Sequence, residues 1–310
     1  MRSRAHLSLF AVVVVWAGSF SVIKGLLDDG VEAFDIAIAR YAIAAPGFAF
    51  VLWRAGGLPG LTRRDAVRIS VAGILIVVGY HVFLNVGTQY TTSMVAALVV
   101  ALAPGMTLVL AALLGLDRMT TRRVVGLAVA FAGVAVVVAL GTGDGLSVES
   151  AKGPLIVVGA PLSFALYNVL LKPLLARYDL LALTAATSLV GILGLVPFVR
   201  GSTGDLVAGV SAKDAALLLY LGVLATLLGY IAWNVGLRAL GPTRAVAYTY
   251  AISPLAVVFG AIVLDEQVTA WLALGAVLVV GGIAMAQGVS LPPRSATVGR
   301  WLSAFSRSET

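Results

Sequence analysis

The chain has 310 residues, 60% of them hydrophobic and 11% charged, with a mean hydropathy of +1.04, whereas ordinary soluble chains are about 25% charged and could not bury so much apolar surface. The net charge of +7 does not point to nucleic acid, because the basic residues are scattered through short polar breaks and form no stripe interleaved with aromatics. With no cysteine, disulfides, thiolate metal sites and cysteine nucleophiles are excluded, and two histidines as far apart as His6 and His81 do not suggest a metal cluster, so neither metal nor cofactor is expected.

What remains is an all-α polytopic membrane protein. Apolar runs of about 20 residues, the length of helix that crosses roughly 30 Å of hydrocarbon, alternate with short polar breaks. In chain order they predict transmembrane helices at 7–27, 33–53, 68–89, 92–115, 122–140, 154–173, 180–199, 214–237, 243–264 and 270–288. The first follows Arg2 and Arg4 and has the outline of a signal peptide. It is read as an uncleaved helix because the second half of the chain holds its partner. Tyr90 to Thr92 and Gly241 to Pro242 supply the tight joins after the third and eighth helices; without them each pair would fuse into one implausibly long helix. Beyond the tenth, 289–310 is a polar tail with Pro292, Pro293 and the short amphipathic RWLSAF, expected at the membrane interface or disordered.

Basic residues near helix ends stay on the cytoplasmic side. With the N-terminus inside, sixteen of the 21 Lys and Arg fall in inside segments, whereas the outside connections hold only Lys152, Arg200 and Lys213. The first outside connection is acidic, with Asp28, Asp29 and Glu32. Both termini are therefore expected in the cytoplasm.

The triplet Asn-Val-Gly at 85–87 recurs 149 residues later at 234–236, and Gly126 and Gly275 share that spacing. Lys24 and Lys172 are 148 apart, Pro104 and Pro254 150 apart. The chain reads as a duplication, with five helices in 7–141 and five in 153–288. An odd number of spans per copy turns the second copy over, giving two inverted five-helix repeats about a pseudo-two-fold axis in the membrane plane. Many secondary transporters are built this way, since the halves can exchange shapes and expose a midplane site to each side in turn.

Trp16 to Lys24 read WAGSFSVIK, Arg40 lies early in the second helix, and 240–255 read LGPTRAVAYTYAISPL. In LDEQVTAWLALGAVLVVGG, Glu266 precedes Gly275 by nine residues, and Asp117 stands at the same spacing before Gly126. On these residues the chain resembles the drug/metabolite transporter superfamily, in particular its ten-helix EamA-type permeases, over about 7–288. The resemblance implies a permease for small metabolites such as amino acids or related compounds, exporting them across a bacterial cytoplasmic membrane. Asp117 departs from the Glu of the family pattern, so the role of that carboxylate does not carry over.

His81, Asn85 and Gln89 follow at four-residue steps, and Tyr230, Asn234 and Arg238 repeat them 149 residues on, so each set forms a polar stripe on one helix face. Such stripes face the bundle or a water-filled cavity. They line a substrate pathway, or the asparagines simply bond helices together; Arg238 reads as a cytoplasmic end anchor. Lys24 and Arg40, inside spans, either give the outer cavity a positive field that favours carboxylate-bearing solutes or neutralise the acidic stretch from Asp28 to Asp35, and Lys24 lies near enough to its helix end to snorkel. Ser19 of the first helix and the aromatics Trp16, Phe20, Tyr80, Tyr167, Trp233, Tyr248 and Tyr250 are candidates for the wall of that pathway, the rings being packing or interfacial residues otherwise. Pro104 and Pro254 each remove a backbone hydrogen bond, and kinks at matched places suit helices that gate the two ends.

Gly126, Gly133, Gly275, Gly281 and Gly282 give the fifth and tenth helices small faces for close packing, which also admit a homodimer contact. An intramembrane enzyme would need a buried Asp pair or a Ser with a His base, and no such set recurs here, so no catalytic residue is expected. A scaffold or receptor subunit would move no solute. ATP drive within this chain is disfavoured because no GxxxxGK[ST] loop occurs. The leading reading is an alternating-access permease whose partners are a small-molecule substrate and the lipid bilayer. With no carboxylate deep in a span, facilitated transport or exchange fits better than proton coupling.

Overall fold

The computed structural model describes residues 2–140 and 148–288, and every regular element among them is helical. Eight helices are long and apolar enough to cross a membrane: α1 (Ala5–Asp28), α2 (Ala33–Arg54), α3 (Arg63–Thr88), α4 (Ser93–Leu113), α5 (Thr121–Leu140), α6 (Ser150–Leu171), α7 (Leu180–Phe198) and α8 (Ala212–Leu240). Two shorter apolar helices follow, α9 (Ala247–Val263) and α10 (Ala270–Ala286). Each coincides with a predicted run. The connection before α8 also holds a short helix, Gly201–Gly209, where a plain loop was expected. The tail at 289–310 and the junction at 141–147 lie outside the described residues.

Helix starts follow local chemistry. Thr62, Thr92, Asp179, Ser211 and Thr269 each turn a side-chain oxygen onto the first free backbone N–H groups of the helix that follows, the ordinary way to satisfy those orphan donors. The two short joins are real breaks. Gly241 ends α8 at φ +82°, a conformation open to glycine, and Pro242 then opens the helix Pro242–Thr249 that leads into α9.

Pro104 and Pro254 break their helices instead of bending them gently. In α4 the chain turns at Ala101 and Leu102 before Ala103–Leu113 begins, and α9 turns at Tyr250 and Ala251 before Ile252–Val263 begins. In each case the proline sits in the first turn of the new segment, where its missing N–H costs little. A second matched irregularity is invisible in the sequence: α3 is π-helical over Ile74–Gly79 and α8 over Tyr220–Leu228, a stretch that includes the positions 149 residues further on. Single-turn π segments tend to occur at functional sites, because widening the turn frees carbonyls and re-aims side chains.

The core is continuous around α4, whose residues Met94 to Val99 are all buried. Helices α5 and α10 pair through their glycines: a Cβ at Gly282 would lie 2.5 Å from both Ala130 N and Gly126 O, backbone atoms that cannot move aside. Gly281, one residue earlier, would meet nothing within 4 Å. Gly282→Ala is therefore expected to cost about 1–3 kcal/mol through overpacking, read as a lower unfolding temperature in detergent, while Gly281→Ala leaves that temperature unchanged or slightly raised. Equal behaviour of the two variants would mean that the backbones do not touch there.

Candidate functional site

A cavity of about 190 Å³ lies in the middle of the bundle. It is smaller than the roughly 300 Å³ at which pockets for drug-sized ligands begin, which suits a small metabolite. Trp16, Ser19 and Phe20 of α1, Arg40 of α2, Ile76, Tyr80 and His81 of α3 and Pro104 of α4 contribute from the first half; Phe164, Tyr230, Tyr250 and Ser253 contribute from the second.

Arg40 is the charged member of this lining and is 6% exposed. Its Nε donates to Thr226 Oγ1 at 2.5 Å, and Thr226 in turn donates to Leu221 O, five residues back, at 2.8 Å. That second bond is made by the π-helical turn of α8. The same turn leaves Ala225 O to accept from Trp16 Nε1 at 2.9 Å, while Tyr220 OH donates to Val15 O at 2.7 Å. One irregular stretch of α8 thus positions both the cation and the indole of the cavity wall.

Three acidic groups near Arg40 in sequence are engaged elsewhere. Asp28 pairs with Lys24 at 2.9 Å, Asp29 with Lys213 at 2.5 Å, and Asp35 accepts from Thr203. Among the described residues Arg40 has no carboxylate partner. Two further polar atoms of the lining residues are buried without a hydrogen-bond partner, His81 Nδ1 and Tyr250 OH; His81 Nε2 lies 2.9 Å from Tyr41 OH.

Of the residues singled out from the sequence, Trp16, Ser19, Phe20, Arg40, Tyr80, His81, Tyr230, Tyr250 and Pro104 meet at this cavity. The others stand away from it. Lys24 is held by Asp28 at the end of α1. Asn85 Nδ2 donates to Ala33 O at 3.0 Å and Asn234 Nδ2 to Tyr230 O at 2.8 Å, so both amides serve packing, and each polar stripe splits after its first residue. Tyr167 packs on Phe164, Trp233 lies behind Trp16 with ring centroids 5.4 Å apart, and Tyr248 OH is 2.6 Å from His6 Nδ1. Pro254 is one residue beyond the lining, at Ser253. Thr226 gave no signal in the sequence beyond being a lone hydroxyl in an apolar run, and Phe164 none at all.

A carboxylate also organises one end of the bundle. Glu266, in the connection between α9 and α10, accepts from Ser93 N at 2.7 Å, Ser93 Oγ at 3.0 Å and Met94 N at 3.1 Å, so it caps α4 from another part of the chain and complements the positive end of that helix. Asp265 at φ +54° turns the chain back, and Gly260 leaves the room, since a Cβ there would come within 2.8 Å of Glu266 Oε2. Asp117, 149 residues before Glu266, does nothing comparable. It pairs at 2.8 Å with Arg123, in the first turn of α5, and is 41% exposed; that bond and the N–H of Arg118 hold its carboxyl below the usual range, so it is an anion at neutral pH.

The sequence pattern of the EamA-like transporter family matches the chain twice, at residues 3–139 and 151–287. The chain belongs to this family. Among its relatives, a probable terminal-alkyne amino-acid exporter of Streptantibioticus cattleyicolor is 30% identical over 284 residues, 91% of this chain and 92% of that protein. An uncharacterised transporter of Archaeoglobus fulgidus is 31% identical over 275 residues, 89% and 95% of the two chains. A crystal structure that covers 92% of this chain and 97% of its own superposes with a TM-score of 0.60 at 20% identity, a likeness of fold. An EamA-like transporter is a multi-pass membrane protein that handles small molecules, and the central cavity is the place in this one where lining residues of both family matches meet.

Thr226→Val would leave the Arg40 Nε–H without a partner in the interior, at an expected cost of about 1–3 kcal/mol, whereas Thr226→Ser keeps the hydroxyl and behaves like the parent. Thermal unfolding of the three proteins in one detergent decides this; equal values for Val and Ser would remove Thr226 as the anchor of Arg40.

Proposed function

We propose that this EamA-like transporter is a secondary transporter that exposes its central cavity alternately to the two faces of a bacterial cytoplasmic membrane, exporting small metabolites such as amino acids or related compounds. The observation that carries the reading is the cavity itself: residues from both family matches enclose it, and it holds a buried cation without a carboxylate partner among the described residues. A charged side chain at membrane depth is costly enough to mark a solute pathway by default.

The two-fold family match supports a duplication, and five helices per copy would invert the second copy relative to the first. The proline breaks of α4 and α9 and the π-helical turns of α3 and α8 recur at the repeat spacing, as expected if the halves are built to exchange shapes. The distribution of Lys and Arg supports cytoplasmic termini. On that orientation Glu266 staples the outer ends of α4 and α9 together, and Asp117 is its unlatched counterpart on the inner side. Export of amino acids or related compounds follows the named relative from Streptantibioticus cattleyicolor. No carboxylate lines the cavity among the described residues, which favours facilitated transport or exchange over proton coupling through an acidic side chain.

Counterflow in proteoliposomes against a panel of metabolites tests the transport itself; a folded protein that moves no member of the panel would leave a scaffold as the better account. The staple has its own test. Since the chain has no cysteine, Ser19→Cys in the cavity wall can be labelled without background. Adding Glu266→Gln, which discards the charge on the α4 cap, is expected to raise labelling by an impermeant thiol reagent from outside. Unchanged labelling would mean that Glu266 does not hold the outer side shut.

A further inference from the structure

The contents of the cavity wall specify more about the solute than its size. Arg40 brings one full positive charge, and among the described residues no Asp or Glu lines the space to balance it. The guanidinium spends Nε on Thr226, while its two Nη groups make no hydrogen bond to the described residues. A pair of parallel N–H donors matches the two oxygens of a carboxylate. Tyr250 OH and His81 Nδ1, buried and unpartnered, are further polar atoms on residues of the same lining. The rest is apolar or aromatic: Trp16, Phe20, Ile76 and Phe164 among others.

We propose that the cavity selects solutes with a single carboxylate on an apolar or aromatic body and no ammonium group, the carboxylate lying on Arg40. The proposal rests on the transporter reading above and, of the solutes named there, keeps the related monocarboxylates and sets aside the zwitterionic amino acids. Charge balance decides it. A monoanion leaves the filled cavity neutral, whereas a zwitterionic amino acid leaves a net positive charge and an ammonium with no acidic partner, in a space where an unpaired buried charge is expensive. A dianion such as a phosphate monoester leaves the opposite excess. The amino acid named for the Streptantibioticus relative therefore differs from the expected solute by the ammonium group.

The experiment uses the full purified chain and three matched probe series: apolar and phenyl-bearing monocarboxylates, their primary amides, and the L-amino acids with the same bodies. Binding is followed by calorimetry and by the fluorescence of the cavity-lining Trp16. The acids are expected to bind about tenfold or more tightly than the amides or the amino acids, the range of one charged hydrogen-bonded contact. Arg40→Gln should abolish the preference for acid over amide. Amino acids that bind as well as the acids, acids that do not bind at all, or an acid preference that survives Arg40→Gln would each overturn the proposal. The comparison of the three series on the unaltered chain stands even if Arg40→Gln fails to fold. Counterflow on the same preparation separates the two readings: acids bound with the expected preference but never carried across refute transport and support the proposed selectivity, whereas flux of amino acids without binding of acids refutes the selectivity and supports transport.

Discussion

The arrangement depends on a guanidinium kept inside an apolar bundle without a carboxylate partner among the described residues. Placing Arg at the centre of a membrane helix costs about 2.5–3.5 kcal/mol on insertion scales, and α2 meets that cost with the long apolar stretch around it. What the fold adds is direction. Asp28, Asp29 and Asp35, acidic groups near Arg40 in sequence, bond to Lys24, Lys213 and Thr203, the last two from the second half of the chain. The cation is therefore held by one hydroxyl and left to face the cavity.

That hydroxyl is available because α8 is π-helical at Thr226. In an α-helix a threonine returns its proton to the carbonyl three or four residues back; here the bond runs to Leu221, five back, and the widened turn gives Ala225 O to Trp16. The irregularity of α8 and the electrostatics of α2 are one feature seen from two helices. Its counterpart in α3 lies directly before Tyr80 and His81, which enter the same cavity. The two π-helical turns fall at matching places in the two family matches, one directly before Tyr80 and His81 and the other shortly before Tyr230, and all three of those residues line the cavity.

The sequence made the helices legible because hydrocarbon imposes a length and a composition on anything that crosses it, and α1 through α8 comply. The site was legible in part, for a different reason. Residues that declare themselves by cost alone, such as Arg40, or by size and position, such as Trp16 and Tyr80, were found. Asn85 and Asn234 left two readings open because a four-residue spacing fixes a helix face and not what that face meets: one amide reaches the backbone of α2 and the other turns back on its own helix. Lys24 was open in the same way, and it lies one turn from a carboxylate that holds it. Phe164 and Thr226 were silent because a single ring or hydroxyl in an apolar run carries no sign of the neighbour it will touch. The π-helical turns have no composition of their own; they are produced by packing.

The repeat also predicts more symmetry than the chain uses, and the difference is informative. Glu266 and Asp117 occupy equivalent places, yet only Glu266 crosses to cap a helix of the other half. Two local changes account for this. Asp is one methylene shorter, and Gly260, whose missing side chain makes space for the Glu266 carboxylate, corresponds to Ala111 at the same spacing, with a methyl group where the notch would be. Asp117 turns instead to Arg123, in the first turn of the next helix, whose position 149 residues on is Leu272, with no charge to compete for Glu266. Identical staples would give a transporter two equally closed ends and no preferred resting state. Under the alternating-access reading proposed above, replacing one of them with a local ion pair would give the two ends different closing energies, which places the choice of resting position in the chemistry at the helix ends.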